Sequence, residues 1–352
     1  MSWLYYALKE YLVEKPRHIN TRFYNDKIGL YPFIPCRLFP HPIQQMVVSK
    51  MLPIPKVKWS KTLIAFQDGT TCRLDIEHAS ANANANANAI KGIILFCHGF
   101  GGSVDSTYCA HFAHHAKKLG YTTVIYNRRA HVPESISPTY PIHYDQDDLE
   151  TVIDWIKTQY PGNNLYGVGM SMGGNIIAKY AGIKGDTCPF TRVVSVCNGF
   201  DIRAGVYRFE KNPMINNVMM EYSRDLIKNI KNIKNIKGSM FGKTQTCGPP
   251  QTTFSQLEHD ALYTFNGKDH HMPHFYNEQS SLVELKKITV PALCIFSDDD
   301  IFLHHSSEFY QDIVNSNPQI TVIVPSHGSH MGFVSSGFEV DWWIKNTLAF
   351  LA

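Results

Sequence analysis

Nowhere in the 352 residues does an apolar run approach the ~20 residues a membrane-spanning helix needs. The opening Met1-Ser2-Trp3-Leu4-Tyr5-Tyr6-Ala7-Leu8 meets Lys9 and Glu10 before a long apolar region develops, so no secretory leader is expected. A surplus of one charge is missing too. Against 30 Asp+Glu stand 33 Lys+Arg, a net +3, with neither zinc-finger spacing nor a long basic stripe. Nucleic acid is therefore excluded as an expected partner. The eight cysteines (36, 72, 97, 109, 188, 197, 247 and 294) contain no Cys-x-x-Cys pair. Several lie in apolar runs, such as Cys97 in ILFCHG and Cys294 in ALCIFS, and read as buried reduced thiols. Reduced thiols and no leader together give a cytoplasmic expectation. Peripheral membrane contact stays open, although an amphipathic helix packed on the body is the simpler reading of the N-terminus.

What is present is ample material for a core, at 44% hydrophobic and 12% aromatic residues. Residues 1–55 are irregular and dotted with proline, and read as an N-terminal extension without identifiable chemistry. Residues 56–352 read as one α/β domain. Strand-like runs at 57–66 and 72–77 flank the turn Asp68-Gly69, and an Ala-Asn alternation over 81–88 then has nothing to bury. It is expected to be a disordered insertion in a hairpin loop.

From residue 90 short apolar runs at 93–97, 122–126, 165–170, 193–197, 293–296 and 320–324 alternate with amphipathic segments such as 145–159, 304–315 and 338–351. Continuous apolar strands alternating with helices predict a mostly parallel sheet covered on both faces. In such sheets ligands bind at the carboxyl ends of the strands. About 90 residues separate the runs at 193–197 and 293–296, too many for one crossover helix, so 201–290 reads as a helical cap over the site. Within it 214–236 looks helical. The triple Lys-Asn-Ile repeat from Lys228 to Lys237 reads as a solvated helix face rather than a lipid-binding strip.

Gly169-Met170-Ser171-Met172-Gly173 closes one strand and opens a helical stretch. This is G-x-S-x-G at a strand-to-helix turn, where the flanking residues must be small and the serine hydroxyl stands proud of the sheet. The five-residue pattern alone is weak, but its position between a buried strand and a helix makes it specific. The earlier run at 93–97 ends in His98-Gly99-Phe100-Gly101-Gly102, whose glycines let the loop approach the serine. The backbone N–H groups of Phe100 and Met172 are then the candidate oxyanion hole. A phosphate-binding loop is the rival reading, but the G-K-[ST] ending is missing. His98 reads as structural.

A serine elbow of this kind requires an acid after a later strand and a histidine near the C-terminus. The last two apolar runs end in Ser297-Asp298-Asp299-Asp300 and in Pro325-Ser326-His327-Gly328-Ser329-His330. Local pattern does not choose between His327 and His330. Nor does it choose among Asp298, Asp299 and Asp300, and Asp201, after the 193–197 strand, is a further rival.

Taken in order, His98–Ser103, Tyr126-Asn127-Arg128, Gly167–Asn175, Ser297–Asp300 and Ser329–Phe333 resemble the AB hydrolase 4 family, from about residue 60 to the end. That family belongs to the α/β-hydrolases and includes bacterial esterases and eukaryotic membrane-anchored lipases and phospholipases. Residues 279–285 are also similar to the family's approach to its acid strand. The resemblance implies the α/β-hydrolase fold, with Ser171 as nucleophile, Asp300 as acid and His330 as base, and His327 in a non-catalytic position. The chain departs from the family's glycines at Arg129-Ala130 and at Ser329, and no anchor helix like that of the eukaryotic members is expected.

The expected function is hydrolysis of a carboxylic ester, an acyl or lipid ester, through an acyl-enzyme on Ser171, with no metal and no organic cofactor. Two alternatives remain: acyl transfer to an alcohol, and an inactive hydrolase fold used for binding.

Overall fold

The computed structural model describes residues 21–80, 90–231, 251–303 and 305–352. Strands that are apolar on both faces cannot show either face to water, so they collect in the middle of a sheet. The strands are β1 (Thr21–Tyr24), β2 (Ser60–Ala65), β3 (Thr71–Glu77), β4 (Gly92–Cys97), β5 (Tyr121–Asn127), β6 (Leu165–Met170), β7 (Arg192–Val196), β8 (Ala292–Ile295) and β9 (Ile320–Pro325). They form one sheet in the order β1-β9-β8-β7-β6-β4-β5-β3-β2. β4 to β9 run parallel, while β1, β2 and β3 pair antiparallel with their neighbours. From β4 the chain crosses first to β5 and later back to β6 on β4's other side. The strand order reverses there, and the carboxyl ends of β4 and β6 meet at the reversal.

The helices are α1 (Pro42–Met51), α2 (Thr107–Lys118), α3 (Gln146–Gln159), α4 (Met172–Lys184), α5 (Ile202–Glu210), α6 (Pro213–Lys231), α7 (Phe254–Asn266), α8 (Met272–Gln279), α9 (Ser307–Ser316) and α10 (Trp342–Leu351). The buried stripes of α3, α4 and α9 (Leu149, Ile177, Tyr310) pack on one face of the sheet. Those of α2 and α10 (Phe112, Trp343) pack on the other. Helices α5 to α8 bury a third core of their own around Phe209, Phe254 and Leu262. The mostly parallel sheet covered on both faces is the one expected from the alternation of apolar runs, and the α/β-hydrolase fold is the one the family resemblance implied.

The N-terminal region differs from the sequence expectation. The supposedly irregular N-terminal stretch supplies β1 and α1. β1 is a half-buried edge strand with no alternation, and its place is set by β9 rather than by its own pattern. α1 begins with a capping box in which His41 and Gln44 bond each other's backbone. The stretch after residue 250, rich in turn-forming residues, holds α7 and α8. α7 opens with a Thr253/Gln256 capping box and ends at the left-handed Gly267. The helix expected over 304–315 starts at Ser307. The Ala-Asn tract and residues 232–237 of the Lys-Asn-Ile repeat lie outside the described residues.

Candidate active site

β6 turns into α4 within a single residue. Ser171 makes that turn at φ 53°, ψ −118°, a strained backbone for a side chain that is not glycine. The turn holds because nothing larger than hydrogen fits beside it. A Cβ on Gly169 would lie 2.1 Å from the Gly173 carbonyl oxygen, and one on Gly173 would lie 1.9 Å from that of Cys97. The Ser171 N–H donates to the Val196 carbonyl at 2.7 Å, which ties the elbow to β7.

His330 arrives from the loop after β9, and its Nε2 lies 3.0 Å from Ser171 Oγ. Its Nδ1 lies 2.8 Å from Asp300 Oδ2. The other carboxylate oxygen of Asp300 accepts from the N–H groups of Phe302 and Leu303 at 2.8 and 2.9 Å, which fixes the carboxylate plane. Asp300 and His330 are both buried, and the Phe302 ring lies 4.6 Å from the imidazole, centre to centre. Water is thereby kept from the His–Asp bond.

The rival residues have other partners. Asp298 pairs with Arg22 of β1. Asp299 accepts from Ser297 Oγ at 2.5 Å and from the Ser329 N–H at 2.6 Å. Burial pushes the Asp299 carboxyl above its usual range against the pull of these two donors. Asp201 caps α5 by accepting from the Ala204 N–H at 3.0 Å. His327 bonds to Ser326 Oγ at 2.9 Å. His98 is buried with its Nδ1 on the Gly99 carbonyl at 2.8 Å. Burial, helped by the nearby Arg128 charge, drops its imidazole to about 3. It is therefore neutral at physiological pH and props the loop that carries Phe100.

Both departures from the family's glycines fall on left-handed backbone: Ala130 has φ 60° and Ser329 φ 54°. At Ser329 the hydrogen bond to Asp299 offsets the strain.

A cavity of about 410 Å³ opens onto Ser171 and His330. Phe100 and Met172 line it beside the serine. Met172 is the first residue of α4, where a backbone N–H has no intrahelical acceptor and the helix dipole favours negative charge. The far wall, formed by the insertion, is apolar, with Val206, Phe209, Met219 and Phe254.

Sequence reasoning did not foresee two contributors to the cavity lining. Met46 and Ser49 come from α1, and His143 comes from the loop before α3. His143 Nε2 bonds to Glu258 of α7 at 3.1 Å, and the Tyr276 hydroxyl donates to the same carboxylate at 2.8 Å. The Gln44 capping box could have revealed α1, whereas nothing local marks His143.

Among the described residues one set has metal-ligating types close together: Cys197, Asp300 and His330, within 4.8 Å of one another. The His330–Asp300 bond occupies two of these groups. Burial raises the Cys197 thiol well above its usual range, and its sulfur accepts from the Met331 N–H. The set is thus a thiol packed beside a hydrogen-bonded pair.

The chain is similar in sequence and in fold to several known proteins. The chain is 26% identical over 284 residues to human phospholipase ABHD3, covering 80% of this chain and 68% of that protein. It is 24% identical over 288 residues to human monoacylglycerol lipase ABHD2, covering 78% and 66%. It thus spans about two thirds of the length of these relatives. The solved Pyrococcus furiosus esterase Pf2001 superposes with a TM-score of 0.54 at 16% identity, over 84% of this chain and 90% of that one. The family model for the alpha/beta hydrolase fold matches residues 92–336, more than half of the sequence, and the chain belongs to that family.

Proposed function

We propose that the protein hydrolyses a carboxylic ester, an acyl or lipid ester, through an acyl-enzyme on Ser171. The observation that carries the reading is the unbroken line from Ser171 Oγ through the His330 ring to Asp300, at 3.0 and 2.8 Å. In this reading Ser171 Oγ attacks the ester carbonyl while His330 Nε2 takes its proton. Asp300 holds the Nδ1–H tautomer and stabilises the imidazolium. The N–H groups of Phe100 and Met172 hold the oxyanion. Collapse of the tetrahedral intermediate expels the alcohol, which takes the proton from His330. Water then repeats the sequence on the acyl-enzyme and releases the acid.

An acyl or lipid substrate is supported by the apolar far wall of the cavity, and by relatives named as a phospholipase and a monoacylglycerol lipase. The test is labelling of the purified protein with a fluorophosphonate, followed by a panel of esters of increasing acyl length with and without added alcohol. Labelling and ester turnover are expected in the parent, and both are expected to vanish in Ser171→Ala with the fold intact. A Ser171→Ala protein that labels like the parent would refute the reading. Acyl-alcohol products outweighing free acid would make the enzyme a transferase.

A further inference from the structure

The loop that carries Phe100 turns on a glycine, and glycine is free at both of its backbone dihedrals. Gly99 lies against the nucleophile, where a Cβ would come within 3.3 Å of Ser171 Cβ. Its orientation therefore has to come from whatever holds the peptide planes on either side of it. A peptide plane is rigid, and in the trans form its carbonyl and its N–H point in opposite directions. The plane that joins Gly99 to Phe100 is held by its carbonyl, which accepts from His98 Nδ1 at 2.8 Å and from the Gly102 N–H at 3.1 Å. The Phe100 N–H is thereby turned to the other side.

The plane before Gly99 is held by a residue outside the loop. The Gly99 N–H donates to the hydroxyl of Tyr108, the second residue of α2, at 3.0 Å. Burial holds the Tyr108 phenol well above its usual range, so the hydroxyl stays neutral and keeps a proton for Ser106 Oγ. Ser106 Oγ in turn accepts from the Ser103 N–H at 3.2 Å. Room for the hydroxyl comes from Gly102, where a Cβ would lie 2.8 Å from it. Tyr222 of α6 also packs on the loop, so closely that a Cβ on Gly101 would meet its ring at 2.6 Å. A ring contact presses on the loop but carries no direction, whereas hydrogen bonds at both planes fix φ and ψ of Gly99 together.

We propose that Tyr108 is a positioning residue for ester hydrolysis: by holding the Gly99 N–H, its hydroxyl fixes the loop conformation that aims the Phe100 N–H at the carbonyl oxygen of an ester on Ser171. This rests on the proposed function, in which the Phe100 N–H holds the oxyanion. Tyr108 acts through Gly99 rather than on the ester. Its effect therefore belongs to the step in which negative charge develops, not to the binding of the uncharged substrate.

The experiment compares the parent with Tyr108→Phe, which keeps the ring beside Phe96 and removes only the oxygen. Steady-state rates on one soluble ester give kcat and KM. Calorimetry gives the affinities for an alkylboronic acid and for the ether that matches the ester. Ser171 Oγ adds to the boron and its proton goes to His330, leaving a tetrahedral anion with an oxygen where the oxyanion would form. The ether has no carbonyl and reports only on the fold and the cavity. In Tyr108→Phe kcat is expected to fall by about thirtyfold and KM to stay within about twofold. Boronic acid affinity should fall by about the same thirtyfold, with ether affinity unchanged. Parent values of kcat and boronic acid affinity in the variant would overturn the proposal. So would an equal loss of boronic acid and ether binding, because the tyrosine would then only support the cavity. A parent that binds the boronic acid but turns over no ester would count against the proposed function and leave the role of Tyr108 to be decided by the two boronic acid affinities. A parent that binds no boronic acid would overturn both.

Discussion

The sheet and the helical insertion between β7 and β8 are held by different forces. In the sheet, ladders of backbone hydrogen bonds set the position of every strand, and apolar side chains fill both faces. The insertion has its own small core and meets the body through side chains. Asn229 donates to the Ala130 carbonyl at 2.7 Å, the Asn266 side chain bonds both backbone groups of Tyr140, and Gln279 accepts from the Tyr144 N–H. The buried His143–Glu258 pair completes the seam. A ladder cannot shift one strand without breaking many bonds at once, whereas a seam of side chains can be rewritten one residue at a time. The Ser171–His330–Asp300 line accordingly sits at the strand ends, and much of the apolar lining of the cavity sits on the insertion.

That division can be broken most sharply at the strand ends. Asp300→Asn is expected to lower kcat by about 10⁴, because the amide favours the wrong imidazole tautomer. Asp299→Asn and Asp201→Asn, which tie a loop and cap a helix, should each cost less than about tenfold. Steady-state rates of the three variants on one soluble ester decide this, and a large loss at Asp201 with little at Asp300 would sink the assignment. On the insertion the expected effect is selective and smaller. Met219→Trp should fill the far wall and cut kcat/KM for a long acyl ester by about tenfold or more relative to a short one. An equal loss for both esters would show that the insertion also supports the triad. Glu258→Gln weakens the seam without touching the sheet, at a cost of about 1–3 kcal/mol. Hydrogen exchange should then quicken in α7 and α8 while β4 to β9 stay protected, and uniform quickening would mean the two regions unfold as one. The smallest expected change is at Ala130→Gly, where relief of the left-handed backbone should raise stability by up to about 1 kcal/mol in denaturant titration. A comparable loss would mean that the buried methyl contributes more than the strain costs.

The sheet interior was legible because a strand buried on both sides must be written in continuous apolar residues, as in Ile93-Ile94-Leu95-Phe96-Cys97. The elbow was legible because its steric demand leaves only glycine at positions 169 and 173, two residues to either side of Ser171. The edge was not. Thr21–Tyr24 pairs on one side only, and its placement is stored in β9. In the candidate site the order of Ser171, acid and histidine could be read, but three neighbouring aspartates could not be separated by local pattern. What distinguishes them is what each one meets: an arginine from β1, a backbone amide of Ser329, or the imidazole. These are contacts between segments far apart in sequence, and no window along the chain contains both partners. The resemblance to a family singled out Asp300, and the structure brings that residue to His330. The contribution of α1 to the cavity was missed for the same long-range reason, although the Gln44 box marks the helix itself.

The pairing of β1 with β9 has a consequence for how the molecule assembles. Arg22 meets Asp298 across 276 residues, and Arg22 itself lies opposite Val324 in the ladder. Closing so long a loop is slow, and until it closes the outer edge of β9 exposes unpaired backbone donors and acceptors. The loops that bring Asp300 and His330 together leave the sheet at β8 and β9, the strands nearest that edge. During refolding from denaturant, protection of the central strands should therefore precede the return of activity, with a lag that lengthens in Arg22→Ala. In that interval the half-finished protein is most exposed to strand-to-strand aggregation.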